Sequence, residues 1–212
     1  MKHQLELVKV SRETLEGTRE IYQKNEKDIE RYLDLLLEWN EKINLVSRSV
    51  SRETLREHVV HSLIPMQLGL LEAFDSWIDS GSGGGLPGAP LAIANPAKRF
   101  FLNDNVKKKM RAVDDIIQQA GIENSETVAK SISLVDLQKG TGIVTKHAFK
   151  IDDLLRLLGS KPWKTIIMWK GVEGAAEEIR TFNKKLNTTL YEFHFGDDEP
   201  FYEGKGLLVI QR

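Results

Sequence analysis

From residue 11 to about residue 74 apolar positions recur with a period near 3.6. Ile29, Leu33, Leu36, Leu37, Trp39 and Ile43 fall close to one stripe, so the spacing predicts amphipathic helix. The run "SRETLEG" at 11 is echoed by "SRETLREH" at 51. Neither run carries the Glu or Gln that completes a capping box, and the echo reads as coincidence rather than as a repeat. From Trp77 the texture changes. Short apolar runs, "SWID", "RFFLND", "ETVAKSI", "GIVTKHAF" and "KTIIMWK", alternate with helical stretches such as "KKKMRAVDDIIQQAG", in which Met110, Val113, Ile116, Ile117 and Ala120 share a face and Gly121 can end the helix. This alternation predicts an α/β fold with a doubly wound, mostly parallel sheet. The last two runs, "TTLYEFHF" and "GLLVIQR", leave no room for a crossover helix and predict an antiparallel pair on the sheet edge. The organisation expected is a helical extension over residues 1–74 and one compact α/β unit over 75–212.

Composition narrows the classes more than it selects one. With 30 basic and 31 acidic residues the net charge is -1, so no global positive field announces a nucleic-acid partner, and only a local patch can carry that role. The chain has no Cys, which excludes disulfides, thiolate metal sites and a Cys nucleophile. Asp, Glu and His show no metal-ligand spacing. No run is long enough to span a membrane, and "MKHQLELVKV" lacks the apolar core of a signal peptide, so a cytoplasmic monomer is expected.

The candidate chemistry begins at "WIDSGSGGGLPGAPLAIANP", residues 77–96, where five glycines fall within eight positions after an apolar strand-like run. Glycines at a strand end let a ligand approach the backbone, and the carboxyl end of a strand in an open parallel sheet is where such folds bind ligands. Two ligands fit the spacing. Gly83-x-Gly85-x-x-Gly88 with Asp104 21 positions on matches the dinucleotide fingerprint. Asp79-x-Gly81-x-Gly83-x-Gly85 resembles motif I of the S-adenosylmethionine-dependent methyltransferases, in which Asp79 and the glycines line the methionine end and Asp104 accepts the ribose hydroxyls. The acid at 79, Pro87 and the short remainder of the chain favour the second; a bare tight turn is the third reading. A Cβ at Gly83 is expected to fill the space where the ligand meets the backbone.

The wider run "GSGGGLPGAPLAIANP" resembles the signature of the small-subunit (16S) rRNA guanine-N7 methyltransferase G family, also called the glucose-inhibited division protein B family. "LLEWNEKINLVS", "HVVHSL", "NDNVKKKMRAV", "HAF" and "WKG" follow in family order, covering about residues 30 to 175. The resemblance implies a class I S-adenosylmethionine-dependent fold, methyl transfer to N7 of a guanine, and 16S rRNA or the small ribosomal subunit as partner. Cofactor contacts are expected from Asp79, Gly81, Gly83, Gly85, Leu86, Asp104, Ile132, Ser133 and His147. Four positions depart from the family pattern: His61 stands for an Asp, Ser80 and Asn103 for aliphatic residues, and His147 for an Arg linked to the cofactor. These departures leave open a methyltransferase for another RNA or a small molecule, or a cofactor- or RNA-binding protein without catalysis.

Guanine N7 already exposes a lone pair, so its methylation needs positioning rather than a covalent intermediate or prior loss of a proton. Lys170, at the end of "IIMWK", and His147 are the candidate catalytic residues, with His147 acting as a cation if protonated. The run "AKRFFLNDNVKKKMR" sets Lys98, Arg99, Lys107, Lys108, Lys109 and Arg111 against the single acid Asp104, a candidate phosphate patch for RNA beside the cofactor.

Overall fold

The computed structural model describes residues 5–181 and 186–212. The long helical stretch divides into α1 (Arg12–Lys24), α2 (Glu26–Lys42) and α3 (Arg52–Gln67). Each "SRET" run opens a helix: Ser51 accepts the Thr54 N–H at 3.1 Å, and Ser11 precedes α1 with extended backbone but no side-chain bond. The apolar stripe of α2 buries Ile29, Tyr32, Leu33 and Leu36. Arg52 and Arg56 of α3 converge on Glu30 of α2, which also accepts from Tyr22 of α1, so one carboxylate ties the three helices together.

The five expected parallel strands are β2 (Ser76–Ser80), β3 (Arg99–Asn103), β4 (Ser125–Val128), β5 (Thr141–Lys146) and β6 (Thr165–Gly171). Between them run α4 (Gly88–Ala94), α5 (Lys107–Ala120) and α6 (Ile151–Leu158), and α7 (Val172–Thr181) follows β6. The C-terminal pair, β7 (Asn187–His194) and β8 (Lys205–Gln211), is antiparallel as predicted. Its position is not the one expected. A further strand, β1 (Leu5–Ser11), pairs parallel to β7 and takes the sheet edge, giving the order β1-β7-β8-β6-β5-β2-β3-β4 with only β8 reversed. The alternating "LELVKV" carried that signal, but a mostly exposed edge strand buries too little to stand out in the pattern.

Successive residues of β2 face opposite layers. Trp77 packs into the core shared with α2, α3 and α5, while Ile78 packs into the core shared with α6 and α7. β2 has β3 on one side and β5 on the other. The winding therefore reverses there, and a crevice opens at the carboxyl ends of β2 and β5.

Candidate cofactor site

Asp79 ends β2 fully buried and organises the glycine loop. Its Oδ2 accepts from the Ser82 hydroxyl at 2.6 Å and from the Gly88 N–H at 2.9 Å, closing the loop on the start of α4. Burial pushes the carboxyl up to about 7, opposed by the Ser82 and Gly88 bonds and by Lys146. Oδ1 is buried and has no protein partner among the described residues. Asp104, just beyond β3, accepts from the Gly83 N–H at 3.2 Å and from the Val106 N–H at 2.9 Å. The two acids thus fix the same loop from adjacent strands.

The glycines have separate duties. Gly81, at φ +77°, lies so close to Ala148 that a Cβ would collide with it, and Phe149 would be 3.1 Å away; the missing side chain lets the turn after β5 close over the loop. Gly85 has φ +102°, beyond the reach of most side chains. At Gly83, by contrast, a Cβ would meet only the Leu45 carbonyl at 3.6 Å, so within the protein the tight approach is at Gly81, and the space beside Gly83 is free for the ligand approach expected there.

The helical extension braces this loop from behind. Tyr32 donates to the Gly84 carbonyl at 2.9 Å, and Asn40 accepts from the N–H groups of Leu45 and Val46, whose side chains abut Gly84. Trp39 donates to Asp115 of α5 at 2.7 Å and packs against the core. The residues of "EWNEKINLV" therefore have structural work beside the loop.

A cavity of about 300 Å³ opens here, lined by Gly81, Asn103, Asp104, Ser131, Ile132 and Phe149 among others. Of the expected contacts it gathers Gly81, Asp104 and Ile132. Ser133 instead hydrogen-bonds Ser131, the residue that lines the space. Asn103 donates to the carbonyls of Val128 and Lys130 and so holds the Ser131 turn, while Asp79, Gly83, Gly85, Leu86 and His147 stand outside the lining. Asn105, Ala148, Phe149 and Leu157 were not picked out as site residues; of these, "HAF" was the one available signal. Larger hollows, of about 540, 650 and 450 Å³, lie at the α5–β4 turn, along the β7–β8 connection, and between the start of α2 and the ends of α4 and α5, none of them lined by the glycine loop.

On the other side of the crevice the groups are basic. Lys146 ends β5 buried, donating to the His58 carbonyl at 2.7 Å and the Ser62 hydroxyl at 3.2 Å. Burial and Lys205 push its ammonium down to about 7, opposed by Asp79. His147 is exposed with φ 56°, and desolvation with Lys146, Lys205 and Lys170 holds it at about 4. This environment disfavours the cationic His147 expected to stand in for an Arg. His61 is fully buried among the rings of Trp169, Phe193, Phe201 and Tyr202, 6.3 Å from the His147 ring, and is held neutral by burial. It belongs to the packing there.

Two further expectations change. Lys170 presents no free ammonium, because its Nζ lies 2.6 and 2.7 Å from the two carboxylate oxygens of Glu178. The basic run does not make one patch, because β3 carries its two ends to opposite edges of the sheet. Lys98 is buried and donates to the Phe74 carbonyl at 3.0 Å, and Arg99 pairs with Glu126, both at the amino end. Lys107, Lys108, Lys109 and Arg111 begin α5 next to Asp104 at the carboxyl end, and among the described residues none is paired. No helix of the described residues is long and apolar enough to cross a membrane.

Comparison with known proteins agrees with this geometry. In overall shape the chain is similar to the O-methyltransferase from Bacillus cereus in complex with SAH, with a TM-score of 0.57 at 15% identity, over 85% of this chain and 90% of that one. In sequence it is 43% identical over 193 residues to the ribosomal RNA small subunit methyltransferase G of Chlorobaculum tepidum, covering 85% of this chain and 87% of that protein. It is 34% identical over 216 residues to the protein of that name in Chlorobium limicola, covering 95% and 93%. Residues 25–195 match the family as a whole, and the chain belongs to the rRNA small subunit methyltransferase G family.

Proposed function

We propose that this protein transfers the methyl group of S-adenosylmethionine to N7 of a guanine in 16S rRNA, as rRNA or within the small ribosomal subunit. The observation that carries the reading is the cavity at the carboxyl ends of β2, β3 and β5, with an acid at each of two strand ends and the 147–150 turn packed against Gly81 as its wall. The residues fit the cofactor. Asp104 offers carboxylate oxygens to ribose hydroxyls and Ile132 an apolar wall to adenine; behind the loop, the buried Oδ1 of Asp79, without a hydrogen-bond partner among the described residues, is an acceptor that the methionine ammonium would satisfy. When bound, S-adenosylmethionine supplies an electrophilic methyl on a sulfonium.

The chain's own task is then orientation. N7 attacks with its own lone pair and no proton leaves it, so no general base is required, and aligning the two reactants supplies most of the acceleration. Neutral His58, His61 and His147 keep added positive charge away from the sulfonium. The exposed cations at the start of α5 supply phosphate contacts beside the cavity. Mass-spectrometric mapping of 16S rRNA from cells with and without the gene tests the reading. Loss of one N7-methylguanine, restored by the purified protein with S-adenosylmethionine, is the expected result, and an unchanged methylation map overturns it.

A further inference from the structure

Glu178 of α7 makes contacts that the methyl-transfer reading leaves unused. Besides holding Lys170, its Oε2 accepts from the backbone N–H of Ile151, the first residue of α6, at 2.7 Å. The helix needs that acceptor: Lys150 at its N-cap makes no side-chain bond, and the first N–H groups of a helix have no partner within it. A carboxylate there also complements the helix dipole. Directly before α6 runs the turn of residues 147–150, in which His147 holds a left-handed φ of 56° and Ala148 and Phe149 lie against Gly81 and line the cavity. Lys170 and Glu178 are both mostly buried, at 12% and 26% side-chain exposure, so the pair is shielded from the solvent that weakens surface ion pairs.

We propose that Glu178 is a positioning residue for cofactor binding: it fixes the start of α6, and through it the 147–150 turn that walls the cavity, with Lys170 as its counter-ion. The proposal rests on the S-adenosylmethionine reading above. The carboxylate acts through the Ile151 N–H, so removing it loosens the wall, whereas removing the Lys170 ammonium leaves the cap in place.

Two measurements on the native protein, Glu178→Ala, Glu178→Gln and Lys170→Met test it. Amide hydrogen exchange without cofactor reads the clamp: Glu178→Ala speeds exchange at Ile151 and its neighbours in the first turn of α6, and Glu178→Gln, which keeps a neutral acceptor, restores most of the protection. Calorimetry and steady-state kinetics read the consequence. Glu178→Ala raises the Kd and KM for S-adenosylmethionine about tenfold, the worth of one buried unpaired donor, with kcat and the KM for RNA within about twofold. Lys170→Met moves all four by less than about threefold. Should Glu178→Ala fail to fold, Glu178→Met, which keeps the side chain's bulk and removes its acceptor, takes its place: it must raise the cofactor Kd about tenfold while Glu178→Gln stays within about threefold of native, and an unchanged Kd in Glu178→Met overturns the proposal. Unchanged cofactor affinity in Glu178→Ala overturns the proposal, as does a large fall in kcat for Lys170→Met, which would put the ammonium at the reacting atoms. If the native protein binds no S-adenosylmethionine while exchange still responds to Glu178→Ala, the functional reading fails and Glu178 is a contact of the fold alone.

Discussion

Along the carboxyl edge of the sheet, the β2–β3 half and the β5–β6–β8 half carry opposite charge and use it differently. In the first half Asp79 and Asp104 are engaged with backbone N–H groups of the loop they shape. In the second, Lys146, His147, Lys170 and Lys205 crowd together, and the structure deals with them by burial, neutralisation and one ion pair. Acids bonded to backbone make a rigid receptor for a cationic ligand with hydroxyls. Bases partly discharged by burial, as Lys146 and His147 are, or paired, as Lys170 is with Glu178, repel that cation less.

The largest effect should come from breaking the acid half at its centre. Asp79→Ala leaves the Ser82 hydroxyl and Gly88 N–H without their acceptor in a dry interior, at about 1–3 kcal/mol each, while also removing a costly buried carboxyl. Cofactor binding should be abolished in calorimetry, with a smaller fall in Tm, and Asp79→Asn should recover part of both. Retained binding by Asp79→Ala would mean that the acid does not anchor the loop. Within the same half, Gly81→Ala should cost about a hundredfold in cofactor affinity, because the new Cβ displaces Ala148, while Gly83→Ala pays only for its left-handed backbone, about tenfold or less. Equal losses at the two glycines would show that the ligand, not the 147–149 turn, sets the limit.

The halves also differ in how stability follows pH. Asp79 holds its proton to about 7 in the fold but, with an ordinary value of 3.8, loses it earlier when unfolded, so between these values stability falls as pH rises. Lys146 titrates at about 7 in the fold and, ordinarily, at 10.5, so between these the unfolded chain holds the extra proton and stability rises with pH. Asp79 therefore bears its full cost above about pH 7 and Lys146 below about pH 7. Thermal melts of the native protein and Lys146→Met from pH 7 to pH 10 should show the native Tm gaining on the variant as pH rises. Parallel curves would remove Lys146 from the account.

These halves were unequally legible. The acid half is encoded locally: Asp79 and the glycines are neighbours in sequence and Asp104 follows the next strand, so their spacing, with the motif it resembles, singled them out. So were the central strands, whose apolar runs are short and fully buried. The basic half is assembled from α3, β5, β6, α7 and β8, and nothing in "VTKHAF" indicates that Lys146 meets His58 and Ser62 or that Glu178 waits for Lys170. Ser133 was expected at the cofactor, yet Ser131 lines the cavity, and the short 3-10 turn at Ile132–Leu134 that sets this is not written in the local pattern. Charge runs misled for a related reason, since a strand placed inside the run separates its ends by the height of the sheet.

That last point yields the smallest and most selective effect. Among the described residues Lys107 and Lys109 start α5 unpaired, beside Asp104, whereas Lys98 is tied to the Phe74 carbonyl and Arg99 to Glu126 at the far end. RNA affinity gained from phosphate contacts weakens with salt in proportion to the contacts made, so the dependence of log K on log salt counts them. Replacing Lys107 and Lys109 together with Gln should weaken rRNA binding a few-fold at low salt and shallow that slope by about one unit per lost contact. Arg99→Gln should leave the slope alone, and Lys98→Gln should lower Tm while leaving it alone as well, because its amine is already committed inside the protein. Filter binding or fluorescence titration across a salt series separates the cases. A slope that responds to Arg99 as much as to Lys107 and Lys109 would place the RNA across both ends of β3 and restore the run of residues 97–111 as a single surface.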